Sequence, residues 1–482
     1  MTQTAQDSTS SKSAPSPKPS RFDRSIVEGP IPAAVWKIAW PTMLQNVIGG
    51  LQGVIDHAMV GHLVGYTGNA AIGVSLPIFL VVIVFVGSLF TGMGVLVSRF
   101  VGANDTDQVN RTIYNALITA AALSIGILAP VGYFLAPWLL DLVNATAAVQ
   151  AEALPYLRIT FVFSFGMLVF FMFGGALRAA GDAHTPLRLG IAMTTLNIIF
   201  NIIFITGPGP LPALGTTGAA IGTALASTLV SGYAIWKLFT NTWVVGFHRG
   251  MDLRPDWAII RALFRFGLPT GLQGIAMNVA GILLLRFIGS LPQSAEAQAA
   301  YAIAYTELFS FITWASLGLM GAAAVVAGQN LGAQRPDRSI HAVRVAATIG
   351  LSVAVAFGLL FLTIPRVLLG IFGADEPAVT ELGIQLLRYL SLSGLFITVA
   401  LTYTGALQGT GDTRSPLIIS IISQILIPIG YCIVMQNSRG LFPADVWTAI
   451  LLGHFTRATL SFLRFRQGKW RSIEVSIARA RA

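Results

Sequence analysis

Apolar residues dominate this chain in long unbroken stretches, and short polar clusters separate one stretch from the next. Each stretch holds roughly 20 apolar residues, the length that carries an α-helix across a bilayer core. The runs are too long and continuous for the alternating strands of a membrane barrel. Only helices and closed barrels pair every backbone polar group inside lipid. The pattern therefore predicts an all-α polytopic membrane protein. Twelve spans are expected, at 36–62, 70–98, 110–136, 154–178, 186–206 and 216–240, then 264–288, 299–328, 340–364, 382–408, 415–436 and 444–464. The polar segment 241–258, with Arg249, Arg254, Trp243 and Trp257, reads as a linker lying at the membrane surface, where tryptophans settle.

The chain repeats itself. "GALRAAGDAHTPL" at Gly175–Leu187 returns as "GALQGTGDTRSPL" at Gly405–Leu417. "PTMLQ" at Pro41–Gln45 returns as "PTGLQ" at Pro269–Gln273, and "VGA" at Val101–Ala103 as "LGA" at Leu331–Ala333. Six spans per copy is an even number, so both copies cross in the same direction. This predicts two pseudo-symmetric six-helix bundles related by an axis along the membrane normal. In each copy a Gly-Asp pair, Gly181–Asp182 or Gly411–Asp412, should turn the chain, and Pro186 or Pro416 should open the next helix. The expected organisation is a disordered tail over 1–30, a first lobe over 31–240, the linker at 241–258, a second lobe over 259–466 and a basic tail over 467–482.

Composition sharpens the picture. The chain is 54% hydrophobic and only 10% charged, against about 25% charged in soluble domains. Mean hydropathy is +0.73. The single cysteine, Cys432, leaves no intrachain disulfide and no zinc or thiol-redox cluster. Residues 1–30 are rich in Ser, Pro and Lys and lack the apolar core of a signal peptide. With the termini inside, all but five of the 30 Lys and Arg residues fall at inner ends or loops, the five being Arg158, Arg286, Arg366, Arg388 and Arg439. That asymmetry predicts cytoplasmic termini in a plasma (bacterial inner) membrane. The net charge of +10 has the same source and calls for no nucleic acid. Arg464, Arg466, Lys469 and Arg471 are expected to meet anionic lipid heads. The protein is expected to act as a monomer. No phosphate-binding G-x-x-x-x-G-K-[ST] loop, H-E-x-x-H or G-x-S-x-G motif occurs, so ATP hydrolysis by that route and the common hydrolytic chemistries are not expected.

Charges inside spans are costly, and each is a functional candidate. Two acids lie well within spans, Asp56 and Glu307. Burial disfavours a charged carboxylate, so Asp56 could exchange a proton or be held ionised by sodium or an organic cation. Competition among such occupants is a simple basis for antiport. Asn197 and Asn201, at i and i+4, share a helix face, and Thr223 would join them if the fifth and sixth spans pack together. With Asp56 they offer only oxygen ligands, suited to a hard cation such as sodium; no other cofactor is expected. Gln52, one turn before Asp56, could orient it or line a polar cavity. His57 points elsewhere on the helix, as an interhelix histidine. Glu307 could face a cavity in the second lobe and neutralise a cationic substrate. Phe161, Phe163, Phe165, Phe170, Phe171 and Phe173 read mainly as packing residues. Pro41 breaks a helix hydrogen bond and is either a static kink or a hinge.

The ordered motifs resemble the multidrug and toxic compound extrusion (MATE) family. They are "WPTMLQNVIGGLQGVIDHAMVGHL", "SRFVGA", "GALRAAGDAHTP", "LNIIFNIIFI", "GTTGAAIGTA", "VAGQNLGA" and "GALQGTGDTRSP", and they cover about residues 35–465. The resemblance implies a twelve-helix, two-lobed antiporter exporting organic cations against inward protons or sodium. It implies a coupling role for Asp56, which follows Pro41 by the family's spacing. Archaeal and DinF-like members surround this site with Asp, Asn, a second Asp and Thr; here Asn201 replaces the second acid. NorM-type members place acids where Met277 and Ile397 stand, so the chain looks closer to the DinF-like type. The alternative is a flippase for lipids or lipid-linked intermediates, from the same superfamily.

Overall fold

The structure is a computed structural model describing residues 21–209, 212–248, 250–374 and 376–475. Among the described residues the regular elements are helical. The first half contains α1 (Ser25–Glu28), α2 (Ile31–Leu63), α3 (Tyr66–Gly102), α4 (Thr106–Leu142), α5 (Ala147–Val162), α6 (Ser164–Ala179), α7 (His184–Thr206) and α8 (Gly215–Phe239). The second contains α9 (Trp257–Gly289), α10 (Ser294–Gly332), α11 (Pro336–Thr363), the short α12 (Pro365–Ile371), α13 (Pro377–Thr410), α14 (Arg414–Arg439) and α15 (Pro443–Arg466). Short π-helical turns interrupt α4 at Ser124–Leu128, α10 at Ala302–Leu308 and α14 at Ile421–Leu426.

Apart from terminal residues, each apolar stretch expected to span lies within these helices. Among the described residues nine helices are long and apolar enough to cross a membrane, or ten if the bent α5–α6 pair is one span. The fold is thus that of a polytopic helical membrane protein. The two long helices outside that set are α2 and α15. Their mean hydropathy is lowered by Asp56, His57 and His62 in one, and by Asp445, His454, Arg457, Arg464 and Arg466 in the other.

The stretch 154–178, expected as one span, is two helices bent by 52° at Phe163. Phe163 leaves helical geometry at φ −98°, ψ 17°. Beside the break, Ser164 shares a buried hydrogen bond of 2.8 Å with Ser124, in the π turn of α4. The repeated phrases fold alike. Gly181 and Gly411 adopt φ of +98° and +100°, a region where a Cβ is penalised. Asp182 then accepts bonds from the Thr185 N–H and hydroxyl, as Asp412 does from those of Ser415.

One apolar core is built mainly from the first half and another from the second. A third joins the halves at the end where the chain termini lie. There the terminal segments depart from expectation. Residues 1–20 lie outside the described residues, but 21–30 are folded, not a disordered tail. Phe22, Ile26 and Val27 are buried. Arg335 donates to the Val27 carbonyl and Arg338 to that of Gly29. The apolar residues of this segment explain the difference: they have a seam between the halves to fill. Beyond α15, Trp470 stacks on Phe465 and donates its indole N–H to the Phe465 carbonyl. Residues 476–482 of the basic tail are outside the described residues.

Candidate functional site

Helices α2, α7 and α8 meet in the first half around a line of polar side chains. Small residues make the approach of α7 and α8 close. A Cβ on Gly218 would stand 2.3 Å from the Phe204 carbonyl oxygen, and one on Gly222 would stand 2.2 Å from Asn201 Oδ1. Asn197 and Asn201, one turn apart, are both fully buried on the face this packing covers.

The hydrogen bonds run in one chain. Asn201 Nδ2 donates to Asp56 Oδ1 at 2.9 Å and lies 3.4 Å from Asn197 Oδ1. Asn197 Nδ2 donates to Thr223 Oγ1 at 2.8 Å, and Thr223 donates to the Ala219 carbonyl. Asn201 Oδ1 is buried and has no hydrogen-bond partner among the described residues. Gln52, one turn before Asp56, accepts from the Thr194 hydroxyl at 2.8 Å. The four residues singled out as a coupling cluster are thus brought together, with Gln52 beside them.

Other candidates lie apart. His57 Nδ1 pairs with Asn69 Oδ1 at 2.9 Å. Pro41 is buried within α2, whose helix runs on through it; having no N–H, it cannot bond the Lys37 carbonyl. Glu307 lies in the π turn of α10, half-buried, and forms no ion pair among the described residues. Of the phenylalanines, Phe161 and Phe173 are core residues and Phe163 and Phe171 are exposed, which suits packing.

A second polar group was not anticipated. Arg457 and His454, one turn apart on α15, are 4% and 3% exposed. They border a cavity of about 370 Å³ with Tyr305, Met277 and Ile397, to which Val84 of the first half also contributes. The charged residues within the long helices that could bear on function are therefore not limited to Asp56 and Glu307. Glu307 is not among the residues lining this cavity. The signal in the sequence was a lone arginine deep in the last apolar stretch, "GHFTRATL", hidden among the positive charges that follow it.

The family model MatE matches the chain twice, over residues 41–203 and 269–434. The chain is 26% identical over 438 residues to the probable multidrug resistance protein NorM of Thermotoga maritima, covering 90% of this chain and 92% of that protein. It is 25% identical over 430 residues to the multidrug export protein MepA of Staphylococcus aureus, covering 88% and 91%. A solved structure described as the outward-facing conformation of a multidrug resistance MATE family transporter matches at a TM-score of 0.85 and 22% identity, covering 93% of this chain and 98% of that one. One model fitting both halves explains the internal repeat, and relatives of this kind are transporters, not enzymes. The chain belongs to the MATE family.

Proposed function

We propose that this protein is a secondary active antiporter that exports organic cations or drugs in exchange for inward protons or sodium. The relatives' names, multidrug resistance and multidrug export proteins, support a drug-efflux role. The observation that carries the coupling is the buried chain Asp56–Asn201–Asn197–Thr223, with Asn201 Oδ1 unpartnered beside the carboxylate. Asp56 is its only acid, so a proton, a metal cation and a cationic substrate would compete for one charge. Sodium, if bound, would be held by Asp56, Asn197 and Asn201 through oxygen, and would supply a positive charge that keeps the carboxylate ionised. The site lies in the first half, while Met277 and Ile397 in the second are apolar; this supports a DinF-like arrangement over a NorM-type one.

In the proposed architecture twelve helices cross the membrane as two bundles, with both termini cytoplasmic, and the halves rock about the seam between them. One charge crossing ~100 mV supplies about 2.3 kcal/mol, enough for a gradient of roughly fifty-fold.

The test is transport in liposomes. Wild-type protein should move ethidium under an imposed pH gradient or an imposed sodium gradient, whichever is the coupling ion. Asp56→Asn, which keeps shape and loses the charge, should lower that flux by about 100-fold, by analogy with the loss of a charged hydrogen-bond partner. Wild-type flux in Asp56→Asn would remove Asp56 from the mechanism.

A further inference from the structure

The chain folds back on the bundle after its last long helix. Gly468 turns it at φ +73°, a conformation in which a Cβ is penalised, and a short 3₁₀ turn over Lys469–Ser472 follows. Trp470 roots this turn. It is 1% exposed within the core that joins the halves, stacks on Phe465 of α15 at 4.8 Å and donates its indole N–H to the Phe465 carbonyl at 2.8 Å. Arg464, also on α15, pairs at 2.8 Å with Asp412 in the Gly-Asp turn of the second half. From Ile473 the backbone is extended, at φ −74° and ψ 111°, so successive side chains alternate between faces. Ile473 and Val475 are half-buried against the core built mainly from the first half, and Glu474 between them is exposed.

The far end of this segment is fastened to α3. Arg99 Nη2 donates to the Ile473 carbonyl at 3.1 Å. Arg99 forms no ion pair among the described residues, and its Nη1 is buried with no hydrogen-bond partner there. A cation taken out of water is costly unless hydrogen bonds or an opposite charge offset it, so the Ile473 carbonyl meets a need that the helices around Arg99 leave open. Arg99 also marks the place where the halves cross: a Cβ on Gly332 of α10 would stand 2.2 Å from its carbonyl oxygen. The segment therefore begins on α15 and ends on α3, at the seam. Its two ends are held unequally. The root is a fully buried tryptophan, whereas the far end has one charge-assisted bond and two half-buried side chains. The Arg471–Asp337 pair, 3.8 Å apart and exposed on both sides, adds little. Such a segment can come off α3 while its root stays on α15.

We propose that residues 468–475 are a strap that holds the seam between the halves shut, rooted by Trp470 and fastened by the Arg99–Ile473 bond, and that the strap unfastens each time the seam parts. The unfastening rests on the transporter reading; the fastening does not.

The test is hydrogen exchange, read by mass spectrometry, on the purified protein in phosphatidylcholine nanodiscs without any gradient. The full chain is compared with a chain ending at Ser472 and with Arg99→Met, which keeps a long side chain and loses the bond. Each change should speed exchange at residues 95–104 and 325–334, the two sides of the seam, by about tenfold or more, the scale of one lost charged hydrogen bond. Exchange at α5, away from the strap, should stay within about twofold, which also shows that the variants are folded. The two changes together should do no more than either alone, because both cut the same link. Unchanged exchange at the seam, an equal rise at α5, or additive effects overturn the proposal. If the shortened chain does not fold, a reversible bridge decides. With Cys432→Ser, Arg99→Cys and Ile473→Cys, a short bis-methanethiosulfonate should join the strap to α3. Bridging in liposomes should lower gradient-driven ethidium flux by at least about tenfold, and dithiothreitol should restore it. Failure to bridge in the folded protein, or full flux with the bridge in place, overturns the strap. Absence of flux before bridging counts against the antiporter instead, since the exchange measurement requires no transport.

Discussion

A missing side chain decides how Asn201 reaches Asp56. Gly222 lies so close to Asn201 that a Cβ would come within 2.2 Å of Oδ1 and 3.0 Å of the backbone nitrogen. No real contact survives at the shorter distance, so Gly222→Ala should push Asn201 off the carboxylate it now donates to. Overpacking of this kind costs about 1–3 kcal/mol, and a misplacement of about 1 Å near a working group can cost ~100-fold in rate. Gradient-driven ethidium flux should therefore fall by tenfold or more, with a lowered thermal midpoint. Gly232→Ala, on the same helix with nothing within 4 Å of its new Cβ, is the control. It should hold full flux and gain roughly 0.5–1 kcal/mol from helix propensity. Equal flux in the two variants would show that the position of Asn201 does not matter.

At the scale of whole helices, the repeated phrase carries different loads in its two copies. In the second half, α13 crosses α10 through Gly405 and Gly409, a small-xxx-small pair. Their Cβ atoms would stand 2.1 Å from the Met320 and Ala324 carbonyl oxygens. In the first half the equivalent Gly175 would meet only the end of Met93, at 3.5 Å. Gly405→Ala should thus destabilise the protein by about 1–3 kcal/mol, while Gly175→Ala should be neutral or mildly stabilising. Thermal unfolding of the two single variants in detergent separates these outcomes, and equal shifts would refute the asymmetry. The contrast marks what could be read in advance. Helix positions, the Gly181 and Gly411 turns and the Asn197–Asn201 face were legible, because apolar runs, turn residues and helical spacing are local properties. The break at Phe163 was not: the hydroxyl pair beside it joins Ser164 to Ser124 of another helix, a contact that no local pattern reveals. Arg457 was hidden for a related reason. Nothing beside it in the chain distinguishes it from the basic end of its helix, and only the packing of α9, α10 and α13 around it shows that its charge is buried and unopposed.

Across the whole molecule, the halves are sealed together at the end holding the termini. Helices α3 and α10 cross there through Gly102 and Gly332, whose Cβ atoms would strike the Gln329 and Arg99 carbonyl oxygens at 2.0 and 2.2 Å. Gln329 also donates to the Ala179 carbonyl of the first half. The segment before α2 fills what remains: Ile26 is fully buried in the core that joins the halves, and Asn330, Arg335 and Arg338 bond to the carbonyls of Ile26, Val27 and Gly29. If the halves rock during transport, this seam is what must part, and Ile26 is a contact that holds it shut. Ile26→Ala should weaken the closed arrangement by about 2–5 kcal/mol. Each 1.4 kcal/mol of that is a factor of about ten in the population of the parted state. Ser98, 1% exposed and touching Gly328 across the seam, reports it. With Cys432 replaced by serine, a cysteine at Ser98 should resist a membrane-impermeant maleimide in the otherwise native protein. Adding Ile26→Ala should raise the labelling rate by at least about tenfold. An unchanged rate, with a thermal midpoint that has nonetheless dropped, would mean that Ile26 stabilises its own half and that the seam is held shut by the glycine crossing and the arginine-to-carbonyl bonds alone.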